Sequence, residues 1–420
     1  MSSSIIHNSL RAIPPYAIYA LLIFTPLARA SVQGWAMTII HIVTLIALTA
    51  FLLERCLVWN WKWIKTPLDK PLIALLILCL LSFAFSMHRP ASLSALILLL
   101  NYIIIYYLMI HTVRSRSQLR RMIWLIIWVG VFLSLFGLFK KYVGNPLPWW
   151  NYHNIPENAG HLISTFGNRN HLAGYMEMAI PLALGLFLTG LTNAKRFLLI
   201  CLTILLLTTI LLALSRGGWA GASFGLLFMA FTLLTSRHFD KKRLVVALVG
   251  GFFALLIIVL SSTTLVERIL SVEHAGETGS ISGRVKVWGG VVEMIKVHPF
   301  LGIGPGNFAT VVTQYLPAAE NRHFFAHNDY LQSVAEIGLA AIAIIVWLIA
   351  VTYRRGFKKL KNPSRLVRGI TVGALSGITA ILVHSIIDFN LHIPANALLF
   401  TVLVALAISP LPLDNRVDVR

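Results

Sequence analysis

Three side chains in this sequence are placed where they could do chemistry. They are Arg216 in Ser215-Arg216-Gly217-Gly218-Trp219, Arg284 in Ser282-Gly283-Arg284-Val285-Lys286-Val287-Trp288, and His327 in Ala326-His327-Asn328-Asp329-Tyr330-Leu331. A guanidinium is a permanently charged planar fork that fits phosphate oxygens. A neutral imidazole can take a proton from a hydroxyl near neutral pH. Together they would supply an anion site and a base. Arg284 and His327 lie in the stretch from about Thr263 to Asn328, the longest break in the chain's hydrophobicity, and Arg216 lies in a short turn between two apolar runs.

The elements that must position them are membrane spans. Hydrophobic residues make up 57% of the 420 positions and charged residues 12%, with a mean hydropathy of +0.79, outside the composition of a soluble globular domain. Runs long enough to cross about 30 Å of hydrocarbon as helix recur near 14–30, 35–53, 71–86, 91–110, 122–139, 171–190, 197–214, 219–235, 244–262, 329–351, 369–389 and 396–412. This predicts an all-α polytopic membrane protein with about twelve transmembrane helices. Residues 1–420 would form a single membrane domain, with 263–328 as a large, partly helical external loop and 140–170 as a second.

Short cytoplasmic loops hold the excess of Lys and Arg. The N-terminus, 54–70, 111–121, 191–196, 236–243, 352–368 and the C-terminus hold 24 of the 35, so both termini are predicted cytoplasmic and the two long loops external. The formal charge of +20 sits in short juxtamembrane clusters such as Arg354, Arg355, Lys358, Lys359 and Lys361. That placement suits topology and anionic headgroups, not nucleic acid. Ala28-Arg29-Ala30 resembles a signal-peptidase site after an apolar run, and the first helix is expected to be retained. Cys56, Cys79 and Cys201 form no Cys-x-x-Cys pair and none falls in an external loop, so no disulfide framework or zinc site is implied.

Each external segment has a bland reading beside the chemical one. Trp149-Trp150-Asn151-Tyr152-His153 suits an interfacial aromatic belt. Gly167-Asn168-Arg169-Asn170-His171 reads as a tight turn before the sixth span, where Arg169 would either add charge to an anion site or be solvated. Arg216 has almost no loop to carry it into water and two glycines after it, which favours an anionic ligand over a snorkelling arginine. From Gly283 to Val297 the apolar Val285, Trp288, Val291, Val292 and Ile295 recur at helical spacing, as in an amphipathic helix lying in the interface with Arg284 at its start. Gly302-Ile303-Gly304-Pro305-Gly306-Asn307 looks superficially like a dinucleotide loop but follows no strand. A packing turn is expected there, against a lesser reading as an anion nest.

Asn328 or Asp329 can cap the helix that follows His327. His384 and Asp388 are four residues apart in the eleventh span and should share a face, either as a functional pair or as a mutually satisfied one. His323 and His392 have no distinctive context. Glu267, Glu273, Glu277, Glu293 and Glu320 include no cluster suited to magnesium, so neither metal nor other cofactor is expected.

The order of these motifs resembles the O-antigen ligase and polymerase superfamily of bacterial membrane glycosyltransferases. The likeness rests on Ser215-Arg216-Gly217-Gly218, Gly283-Arg284 with Trp288, the Gly302 to Asn307 turn, His327-Asn328 with Glu336-Ile337-Gly338, and the Gly167 to Gly174 segment. It spans roughly residues 160 to 390. One departure is Arg169, where proline is common. The resemblance implies a GT-C-like helical fold in the inner membrane and a glycan donor on undecaprenyl pyrophosphate at the periplasmic face. It implies inverting, metal-independent transfer of that glycan to the lipid A core.

Arg216 and Arg284 would then hold the pyrophosphate and His327 would deprotonate the acceptor hydroxyl, with Arg169, Asn328, Asp329, His384 and Asp388 as possible support. A polymerase using the same donor, or a protein O-oligosaccharyltransferase, would carry the same residues. A secondary transporter is the alternative of a different class, but no paired repeat is evident and the polar residues gather at one boundary.

Overall fold

The computed structural model describes residues 2–59, 61–145, 161–261, 281–316 and 324–409. The aromatic run at 149–153, the stretch from 262 to 280 with Glu267, Glu273 and Glu277, and Glu320 and His323 lie outside the described residues. Described elements are helical: α1 Ser2–Leu27, α2 Gly34–Val58, α3 Asp69–Ala84, α4 Arg89–Thr112, α5 Arg116–Tyr142, α6 Arg169–Phe187, α7 Asn193–Leu212, α8 Arg216–Thr235 and α9 Lys242–Leu260. They continue as α10 Ile281–Val297, α11 Phe308–Val311, α12 Asp329–Ile337, α13 Ala340–Lys359, α14 Arg365–His384 and α15 Pro394–Ile408.

All twelve expected spans fall on helices. Nine of the described helices are long and apolar enough to cross a membrane, while α3 and α15, with 16 and 15 residues, are shorter, and α6, with 19 residues, is not among the nine. The tenth expected span, 329–351, is corrected: it is two helices, α12 and α13, broken at Gly338. Gly338 has φ +86° and its Cα faces the Phe300 carbonyl, so only a residue without a Cβ fits the break. The membrane-length helix therefore begins at Ala340.

The centre of the bundle is α6 packed on α14, with α8 against both. Every residue of α6 from His171 to Phe187 is buried. Glycines let these backbones meet: a Cβ on Gly373 would stand 2.6 Å from the Pro181 carbonyl, and one on Gly225 would stand 2.6 Å from that of Ser376. Such small-residue contacts replace the hydrophobic drive that lipid removes. Around the bundle, Leu45, Phe197, Phe231 and Ile258 are exposed, as helix faces turned to acyl chains require.

At one end of the bundle α10 and α12 form a cap with its own core of Val287, Val291, Met294, Ile303, Phe308 and Leu316. The expected apolar stripe is thus shifted. Val291 is buried and Ile295 partly so, but Val285 and Val292 are exposed and Val287 and Met294 take their place.

Candidate functional site

The site is built around Asp388. Helix α14 ends at His384, and the turn that follows carries Asp388 to the cap side, where it is buried. His327 Nδ1 lies 3.5 Å from its Oδ1 and Arg284 Nη2 lies 3.9 Å from its Oδ2. Arg284 Nη1 also donates to the Ile387 carbonyl. Asn170 Nδ2 donates to Asp388 Oδ2 at 2.5 Å, and the Phe389 amide donates to Oδ1 at 2.8 Å. Burial alone would raise this carboxyl's pKa, but the His327 imidazole against it, with His171 and His384 nearby, holds it below the usual carboxylate range. Asp388 is ionised across the working pH range, and any stability it contributes is lost only as pH falls through that depressed value.

His327 is held from several directions. Its φ of 50° places it in the left-handed region, which costs a non-glycine residue about 1–2 kcal/mol. Three contacts fix it there. Trp288 Nε1 on α10 donates to the Ala326 carbonyl at 2.9 Å, the Ala326 amide donates to Gln332 Oε1 at 3.1 Å, and Asn328 Oδ1 caps α12 by accepting from the Tyr330 and Leu331 amides. Phe389 meets the His327 ring edge-on at 4.9 Å and stacks on Phe325 at 4.0 Å. Trp288→Phe removes the first tie and keeps the ring. It should cost about 1 kcal/mol of stability, as one lost hydrogen bond does. An unchanged unfolding temperature in the purified variant would show that this tie does not help to hold the histidine.

Arg216 reaches the cluster through its neighbours. Ser215 Oγ donates to Asn170 Oδ1 at 2.8 Å and accepts from the Gly218 amide at 3.1 Å, which caps α8 at Arg216. Arg216 itself is exposed. A Cβ on Gly217 would stand 2.5 Å from the His384 ring, so glycine is what lets this turn approach α14. Asn170 therefore joins the arginine turn to Asp388 with one amide. Asn170→Asp places a second carboxylate against Asp388 and should lower the unfolding temperature more than Asn170→Ala, which only opens the link; the opposite order in thermal unfolding would show that Asn170 does not bridge the two.

His384 does not pair with Asp388, which corrects the expected shared face. Because the helix stops at His384, Asp388 is not one turn further along it. His384 Nδ1 instead lies 3.1 Å from Glu177 Oε1 of α6, and both side chains are wholly buried. A Cβ on Gly221 would stand 2.5 Å from Glu177 Oε2, so α8 covers this pair at close range.

The other expected residues divide. Arg169 Nη1 lies 2.5 Å from His161 Nε2. Asn328 is a helix cap. Asp329 Oδ1 lies 2.6 Å from His392 Nδ1 and its Oδ2 accepts from the Leu391 amide at 3.0 Å. Burial would lower the His392 pKa, but the Asp329 carboxylate more than reverses that and raises it. In the Gly302 to Asn307 turn, the Gly306 amide donates to Glu336 Oε2 at 2.7 Å and the Gly304 amide to the Glu336 carbonyl at 2.9 Å. The turn holds the chain's own carboxylate.

Asn170, Glu177 and His392 were not expected at the site. A carboxylate inside an apolar run was the available signal for Glu177. Beside the site, Asp329, Ser333, Glu336 and His392 stand at the polar end of a cavity of about 440 Å³, whose walls include Leu75, Leu99, Leu348 and Phe400.

A helical bundle of membrane length, capped at one boundary over a buried Asp, a His and an Arg, defines a polytopic membrane protein with a polar site at that boundary. A family model described as O-antigen ligase matches residues 201–346, which include Arg216, Arg284 and His327. Over that segment the chain is similar to the O-antigen ligase family. No curated protein matches it.

Proposed function

We propose that this protein is a glycosyltransferase of the inner membrane that moves a glycan from undecaprenyl pyrophosphate to a hydroxyl of the lipid A core at the periplasmic face. The observation that carries the reading is the meeting of His327 and Arg284 on one buried carboxylate, with Arg216 tied to it through Asn170 and Ser215.

In this reading Asp388 orients His327 through Nδ1 and leaves Nε2 for the acceptor. The hydroxyl gives its proton to His327 while its oxygen attacks the anomeric carbon. The bond from that carbon to the pyrophosphate oxygen breaks on the opposite face, which inverts the configuration. The departing pyrophosphate takes the electron pair, and Arg216 and Arg284 neutralise its growing charge without a metal. Asp388 in turn stabilises the imidazolium. The apolar cavity beside the site suits a lipid chain whose head must reach His327. The described residues 281–316 and 324–328 act as the periplasmic cap of a single membrane domain, with both termini cytoplasmic as the basic excess directs.

Complementation tests this. The gene should restore lipopolysaccharide banding to a ligase-deficient strain and not to a polymerase-deficient one. Rescue of the second strain alone would assign a lipid-linked glycan as acceptor instead.

A further inference from the structure

We propose that the opposite end of the bundle carries a second anion site, one that binds a phosphate group at the C-terminal end of α13. A cavity of about 220 Å³ there is lined by Arg355, Lys358, Lys359, Lys361, Asn362 and Ser409, with no carboxylate among its lining residues. None of the four cations is in an ion pair among the described residues; Arg365 and Asp240, 2.8 Å apart, are the nearest such pair in sequence.

Basic residues at helix C-termini and at a cytoplasmic boundary are ordinary, and such side chains normally extend into water. Lys359 does the reverse. It is folded inward with 8% exposure, and its Nζ donates to the Leu406 carbonyl of α15 at 2.6 Å. An ammonium has three donors, so one carbonyl leaves capacity for a ligand in the cavity that Lys359 lines. The Nε of Arg355 is buried and makes no hydrogen bond.

Four like charges around one cavity repel one another, and burying one of them is costly unless an anion joins them. Asn362 and Ser409 add neutral hydrogen-bonding groups to the same wall. The ligand is therefore compact, multiply oxygenated and anionic. At a membrane boundary that chemistry is the phosphate of a lipid headgroup or a free phosphate. The site lies a full membrane span from His327, and none of its residues is assigned to glycan transfer.

The test uses the full chain in neutral detergent, with bound lipid counted by native mass spectrometry and stability followed by thermal unfolding. Phosphatidylglycerol should be retained at one tight site and phosphatidylcholine should not. Lys359→Met with Arg355→Gln should weaken that retention about tenfold or more, since each basic residue near a surface contributes about 1 kcal/mol to headgroup binding. Lys241→Gln with Arg243→Gln, exposed at the same end of the bundle, should leave it unchanged.

If inorganic phosphate raises the unfolding temperature of the native chain but not of the Lys359 variant, while the two lipids bind alike, the ligand is free phosphate and the site stands. Should the inward variants fold poorly, Lys358→Gln with Lys361→Gln carries the same comparison from the exposed rim. The proposal is overturned if neither lipid retention nor phosphate stabilisation responds to these changes, or if the control pair responds as strongly.

Discussion

His327→Asn is expected to leave a folded protein whose glycan transfer falls by about 10²–10⁴-fold, the usual contribution of a positioned general base. Asparagine is the informative replacement because residue 327 has φ 50°, and asparagine tolerates the left-handed region better than alanine does. The ties through Ala326 involve that residue's backbone and so survive the substitution. His327→Ala should be equally inactive but less stable. Asp388→Asn separates orientation from proton transfer: it keeps a side chain within reach of His327 while removing the charge that would stabilise an imidazolium. It should therefore also lose most activity. Wild-type banding from His327→Asn would take the histidine out of the mechanism and leave the arginines as a binding site for some other purpose.

Glu177→Leu is expected to have the largest effect on stability. Glu177 and His384 face each other 3.1 Å apart with no solvent exposure. Removing one partner of a buried pair leaves the other's polar group uncompensated and costs about 3–5 kcal/mol. The double variant Glu177→Leu with His384→Leu removes both and should recover most of that loss. Thermal unfolding of the three variants in one detergent distinguishes the cases. A single variant as stable as the native chain would mean that the pair contributes nothing to packing. The double variant should still transfer poorly, because His384 is what Gly217 packs against at the start of α8, one residue from Arg216.

The all-helical membrane architecture was legible from apolar run lengths, because those lengths report directly the thickness that must be crossed. Arg284 and His327 stood out because charge between apolar spans has few structural uses, and the structure brings both to Asp388. What sequence did not convey is who pairs with whom. Asp388 was picked out but assigned to His384, since spacing of four implies a shared face only while the helix continues, and it ends at His384. Asn170 joins residues 215 and 388, a long-range contact that spacing within a segment does not express. In α10 nearly every side of the helix holds an apolar residue, so periodicity alone could not choose Val287 and Met294 over Val285 and Val292. Gly338 lay in plain view within 329–351, but a glycine in an apolar run marks a break only when its backbone must turn.

The glycine contacts between α6, α8 and α14 have a mechanical consequence. Where Gly373 meets the Pro181 carbonyl and Gly225 meets that of Ser376, no side chain lies between the backbones to act as a bearing. Helices seated in this way have no low-friction plane along which to slide, and the Glu177 and His384 side chains pin two of them together. The three helices form a stator. Asn170, Arg216 and Asp388 stand on or beside its ends, so their spacing is fixed before any lipid arrives. Motion needed to admit the lipid-linked donor and acceptor proposed above must then come from the outer helices, such as α9 and α13, which touch the stator less and face the bilayer more.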